Sequence, residues 1–119
     1  MDKIRIKNMQ FFAYHGILPS EAVTGQLFEV DLEVKGDWSV AGNSNNIDDA
    51  INYENLYEVV KEIVKGKRFN LLEALSEEVC SQILMRYSLT KKVKLSIRKP
   101  NVPINGFLDY VEVEIERGR

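Results

Sequence analysis

Four side chains in this chain of 119 residues are of types that move protons or grip a flat polar ring: Lys99, Glu73, Tyr53 and Glu21. Lys99 ends the run Lys92-Val93-Lys94-Leu95-Ser96-Ile97-Arg98-Lys99, which Pro100 stops. Side chains alternate faces along a strand, so Val93, Leu95, Ile97 and Lys99 point one way and Lys92, Lys94 and Arg98 the other. A lysine on the apolar side either snorkels to water past the last hydrophobic layer or is partly desolvated. Desolvation disfavours an ammonium and suits an amine to proton exchange. Glu73 follows Asn70 by three residues, the spacing of a capping-box acid at a helix start. The same carboxylate could accept two parallel hydrogen bonds from the amidine-like edge of a flat heterocycle, helped by free backbone groups at that helix start. Tyr53, in a first helical turn, is a half-buried packing residue or a phenol that stacks and passes protons. Glu21, in Leu18-Pro19-Ser20-Glu21, reads as a solvated turn residue, and His15 before Gly16 as a hydrogen-bonded turn histidine.

The elements that must position these groups follow from hydrophobic period, which switches from two to about 3.6 and back. The expected order is ββααββ, an α+β fold. Strand one spans about Lys3 to Tyr14, with a change of phase near Asn8-Met9 that marks a β-bulge. Strand two, about Leu27 to Trp38, alternates Phe28, Val30, Leu32 and Val34 with Glu29, Asp31, Glu33 and Lys35, the pattern of a half-buried strand. Residues 39 to 52 read as a long polar loop, and long ordered loops are often functional. Helix one starts at an Asn52 cap, carries Leu56, Val59, Val60, Ile63 and Val64, and ends at Gly66. Helix two runs from about Asn70 to Tyr87 on Leu72, Leu75, Val79 and Ile83. Strand three is the Lys99 strand; strand four, Tyr110 to Arg117, sets Val111, Val113 and Ile115 against Glu112, Glu114 and Glu116.

Composition narrows the function. Sixteen Lys plus Arg against eighteen Asp plus Glu, a formal charge of -2, argue against the clustered basic excess of a nucleic-acid binder. The length fits one domain, residues 1–119. No apolar run approaches a membrane span and the N-terminus lacks a signal-peptide core, so a cytoplasmic protein without membrane contact is expected. The single cysteine, Cys80, falls in a helical pattern as a small core residue. One histidine and one cysteine make a dedicated zinc site improbable.

The polar phases are basic on strand one, acidic on two, basic on three and acidic on four, so the strands of each hairpin pair opposite charges. Two helices can cover only one face of such a sheet. The other face stays wet and the outer strands stay open, which favours ring closure with further copies.

In this order and spacing, several segments resemble one family. They are Met9-Gln-Phe-Phe-Ala-Tyr-His-Gly16, Glu21, Gly25-Gln26, Phe28-Glu29-Val30-Asp31, Asn52-Tyr53, Asn70-Leu71-Leu72-Glu73, Lys99-Pro100, Pro103-Ile104 and Gly106. Across essentially the whole length the chain resembles the bacterial dihydroneopterin aldolases of folate biosynthesis, which have the T-fold. The resemblance implies four subunits closing a sixteen-stranded barrel, a homo-tetramer or, stacked in pairs, a homo-octamer, with active sites between neighbours. It implies a small-molecule pterin substrate, 7,8-dihydroneopterin, cleaved by a retro-aldol reaction to 6-hydroxymethyl-7,8-dihydropterin and glycolaldehyde, with epimerisation as a side activity. No cofactor and no metal are expected.

By position, the resemblance makes Lys99, Tyr53 and Glu21 catalytic. Lys99 would exchange protons near N5, Tyr53 would come from the neighbouring subunit, and Glu21 would hold the side-chain hydroxyls. Glu73 would anchor the pterin, with backbone groups of Leu72 and the Ile51 corner completing ring recognition. Ala50, Asn105 and Phe107-Leu108 depart from residues common in relatives. Two other functions stay open at this point: an epimerase acting on dihydroneopterin or its triphosphate, and a non-catalytic pterin-binding ring protein.

Overall fold

A computed structural model describes residues 1–119. The period-two segments form β1 (Asp2–Ala13), β2 (Gln26–Gly36), β3 (Thr90–Lys99) and β4 (Val111–Gly118). They make one antiparallel sheet in the order β1-β2-β3-β4. The phase slip read at Asn8-Met9 is a register shift between Ile6 and Met9. Asn8 takes a positive φ there, and its N–H donates to Asp31 Oδ1 at 2.7 Å, so the bulge moves Met9, Phe11 and Ala13 onto the core face.

Four helices connect the strands: α1 (Pro19–Thr24), α2 (Ser39–Ser44), α3 (Tyr53–Val64) and α4 (Leu72–Arg86). The expected long loop over 39–52 is instead folded, with α2 followed by a 3-10 turn at Ile47–Asp49. Both are too short for helical periodicity to show in their composition, and local bonds such as Asn45 N–H to the Ala41 carbonyl hold them. Asn52 caps α3 as expected, its Oδ1 accepting from the Glu54 N–H at 2.9 Å.

Helices α3 and α4 lie on one face of the sheet. Leu56, Val60, Leu75, Val79 and Ile83 interlock with Phe28, Val30, Leu32, Leu95 and Ile97 in a single core of 20 buried residues, Cys80 among them. On β4 the apolar phase is only half-buried: Val111, Val113 and Ile115 are not fully covered by α4. No helix is long and apolar enough to cross a membrane.

The opposite face carries the charges, paired across the register as the alternation of sign requires. Glu33 lies opposite Arg5 and Lys94, and Arg98 opposite Glu29 and Glu112. Arg98 holds Asp31 at 2.7 Å and Glu33 holds Arg5 at 2.7 Å. Burial raises the Asp31 carboxyl, but the hydrogen bond and charge of Arg98, the Asn8 N–H and Lys7 outweigh it and keep Asp31 below the ordinary aspartate range. Both outer strands, basic β1 and acidic β4, end the sheet with open edges.

Candidate active site

The inward phase of β3 runs out of hydrophobic side chains at Lys99, which is only 8% exposed. Its Nζ does not snorkel to water; it meets the Glu21 carboxylate in an ion pair, the two side chains 11% and 12% exposed. Glu21 is therefore not the solvated turn residue its local sequence suggests. Pro19 starts α1, the Glu21 side chain folds back, and its Oε1 accepts from the Leu18 N–H at 3.3 Å. That fold-back requires Gly16, whose φ of 145° lies in glycine territory and where a Cβ would collide with the Glu21 carboxylate.

Across from this pair lies the start of α4. Its cap residue is Leu71, in an extended conformation and without a side-chain cap bond. The capping-box role read for Glu73 is thus absent: the helix starts one residue later than the spacing from Asn70 implied, and the Asn70 Oδ1 faces Arg68 Nη1 at 3.5 Å. Glu73 is exposed at the helix start. Lys99, Glu21, Glu73, Leu72, Leu18 and Ile104 share the wall of one cavity of about 530 Å³, most of whose lining residues are apolar. It places one cation and two carboxylates around a slot with greasy walls, a combination suited to a flat, nitrogen-rich ring. No group of three or more His, Cys, Asp or Glu side chains lies close enough to share a metal ion.

Two expected site residues are elsewhere. Tyr53, the first residue of α3, is 66% exposed, and Ile51 is buried beside a smaller cleft with Ala50, Tyr87 and Leu89. Neither lines the Lys99 cavity within one chain.

His15 is the hydrogen-bonded turn residue expected. Its Nδ1 accepts from the Phe69 N–H at 2.9 Å and its Nε2 donates to the Val64 carbonyl at 2.7 Å, tying the end of β1 to the α3–α4 connection. Burial lowers its pKa, the Val64 bond opposes this, and the charges of Arg68 and Lys99 reinforce it. Below about pH 6.5 an unfolded histidine binds a proton that the folded one refuses, so stability falls as pH drops from there. Because the chain has one histidine, urea midpoints measured from pH 7.5 to 5.5 should decline for the natural protein and hold level for His15→Gln. Equal slopes would contradict the neutral assignment.

The model of the FolB dihydroneopterin aldolase family matches residues 4–116. The chain belongs to the dihydroneopterin aldolase family. The dihydroneopterin aldolase of Staphylococcus epidermidis is 41% identical over 116 residues, covering 98% of this chain and 96% of that one. That of Bacillus subtilis is 37% identical over 117 residues, 98% of each chain. Among solved structures, Escherichia coli dihydroneopterin aldolase in complex with neopterin superposes with a TM-score of 0.90 at 30% identity, covering 99% of this chain and all of that one. The α+β T-fold expected from the resemblance is therefore the fold of this dihydroneopterin aldolase family member: a four-stranded antiparallel sheet with its main helices on one face.

Proposed function

We propose that this chain cleaves the C1′–C2′ bond of 7,8-dihydroneopterin, releasing glycolaldehyde and 6-hydroxymethyl-7,8-dihydropterin, in the cytoplasmic synthesis of folate. The observation that carries the reading is the cavity in which the near-buried Lys99–Glu21 pair faces Glu73 across apolar walls. The neopterin complex of the Escherichia coli relative supports the substrate class.

A retro-aldol step needs an electron sink, and the dihydropterin supplies one in its C6=N5 imine, so orientation and proton transfer suffice. A base takes the proton of the 2′-hydroxyl. The C1′–C2′ electrons move into a C1′=C6 double bond as N5 gains a proton, and glycolaldehyde leaves. Protonation at C1′ and loss of the N5 proton then restore the imine. Lys99 serves N5, directly or through water, and Glu21 orients the side-chain hydroxyls while sharing charge with Lys99. The Glu73 carboxylate accepts from the 2-amino and N3–H edge of the pterin, with main-chain groups of Leu72 beside it. Re-addition of the enol carbon C1′ to the opposite face of the glycolaldehyde carbonyl before release inverts C2′ and yields 7,8-dihydromonapterin by the same groups.

Tyr53 and the Ile51 corner reach the site from a neighbouring copy. Basic β1 and acidic β4, both open, and the half-covered apolar phase of β4 support closure of four copies into a barrel, alone or stacked as an octamer. One preparation tests the whole reading: chromatography after incubation with 7,8-dihydroneopterin, and sedimentation of the same sample. Glycolaldehyde release from a four- or eight-copy particle is expected. Monapterin alone would make the protein an epimerase, unchanged substrate with tight binding a pterin carrier, and an active monomer would dismiss the shared site.

A further inference from the structure

Two neighbouring irregular segments contribute to the cavity wall: residues 14–18 between β1 and α1, and residues 65–71 between α3 and α4. The first brings Gly16 and Leu18 to the wall and aims α1 with Glu21; the second brings Asn70 and Leu71 and leads into Glu73. No strand ladder joins them. One main-chain bond does, from the Gly16 N–H to the Phe69 carbonyl at 3.0 Å, so side chains must set the rest of their geometry.

Arg68 engages both. Its Nε donates to the Tyr14 carbonyl at 2.9 Å, and its Nη2 donates to the carbonyls of Gly16 and Leu18, the latter at 3.3 Å. Its Nη1 faces Asn70 Oδ1 at 3.5 Å, the longest of the four. A guanidinium is a rigid planar fork, so gripping alternate carbonyls 14, 16 and 18 sets the curvature of that loop; a lysine ammonium, a compact point charge, cannot span all three. Arg68 itself does not line the cavity.

We infer that Arg68 is a positioning residue that aims Glu21 at Lys99 by clamping loop 14–18 against the start of α4. The inference rests on the aldolase reading for what the pair accomplishes. Three of its four bonds go to the Glu21 side, so its loss disturbs the chemical step more than the grip on the ring.

The test compares Arg68→Met and Arg68→Lys with the natural enzyme. Arg68→Met should lower kcat about tenfold, since small misplacement of a reacting group is costly, and leave KM and neopterin affinity within about twofold. Arg68→Lys, which keeps the charge and loses the fork, should match it. Amides of Gly16 and Phe69 should exchange with solvent faster in both variants while those of β2 and β3 stay protected. Full activity in Arg68→Lys, a rise in KM with unchanged kcat, or unaltered amide exchange would each overturn the clamp. Should the natural protein release no glycolaldehyde, the aldolase reading fails, while amide exchange still decides the clamp.

Discussion

Lys99→Ala should lose about a thousandfold in kcat, the middle of the range for removing a positioned acid–base group, while neopterin affinity changes by only a few fold. The asymmetry follows from geometry. The amine sits at the inner end of β3, paired with Glu21, where on the proposed function it serves atoms whose charge changes during reaction, while the ring edge is assigned to Glu73. Removing it also leaves the Glu21 carboxylate near-buried without its partner, which costs about 3 kcal/mol or more in stability. Lys99→Ala combined with Glu21→Gln removes that uncompensated charge. The double variant should regain stability and remain inactive, separating loss of chemistry from loss of fold. Steady-state kinetics beside fluorescence titration with neopterin supply the readout. A variant that turned over normally but bound weakly would reverse the assignment of Lys99.

The second large effect belongs to Glu73. Its carboxylate makes no ion pair within the chain, and α4 begins with no side-chain cap, so the acid is free to meet donors on a ligand and the N–H groups of the helix start an acceptor. Two charge-assisted hydrogen bonds at roughly 1.5 kcal/mol each predict that Glu73→Ala weakens pterin binding about a hundredfold. Glu73→Gln, which keeps one acceptor oxygen, should fall between. The kcat at saturating substrate should drop far less than in Lys99→Ala. Thermal stability should change little, because what α4 loses is one exposed acid near its positive end, worth about 0.5 kcal/mol. Were Glu73→Ala to bind neopterin normally, the ring would have to be held from another wall.

On the proposed function these two residues divide the task of the site. The exposed carboxylate on a rigid helix start would give orientation, which is independent of the reaction coordinate. The covered amine on a strand end would give proton exchange, where a site shielded from water strengthens every charge interaction. Glu21 links the halves, and its position depends on a glycine at residue 16 and on the clasp formed by His15 and Arg68.

Much of this was legible in the linear order of residues. The sheet, its bulge at Asn8, the faces of α3 and α4 and the unusual placement of Lys99 all follow from alternation between water and core, which each short segment encodes independently of the others. The four alternating charge signs likewise matched the observed strand order. The Glu21–Lys99 ion pair and the part played by Arg68 were not legible: Glu21 enters the site only through the family resemblance, and its local sequence suggests a solvated turn. Six residues of ordinary turn composition around Glu21 fold as α1 and reverse its side chain onto a lysine near the far end of the chain, and nothing local to Arg68 marks three carbonyls of a distant loop as its partners. The cap of α4 moved by one residue for a related reason, since Asn70 faces Arg68 instead of the helix start. Period and phase are local properties, so they survive without the rest of the molecule. Which ion pairs form, and which loop meets which, depends on closing long stretches of chain against many competing partners, and only the packed core settles that competition.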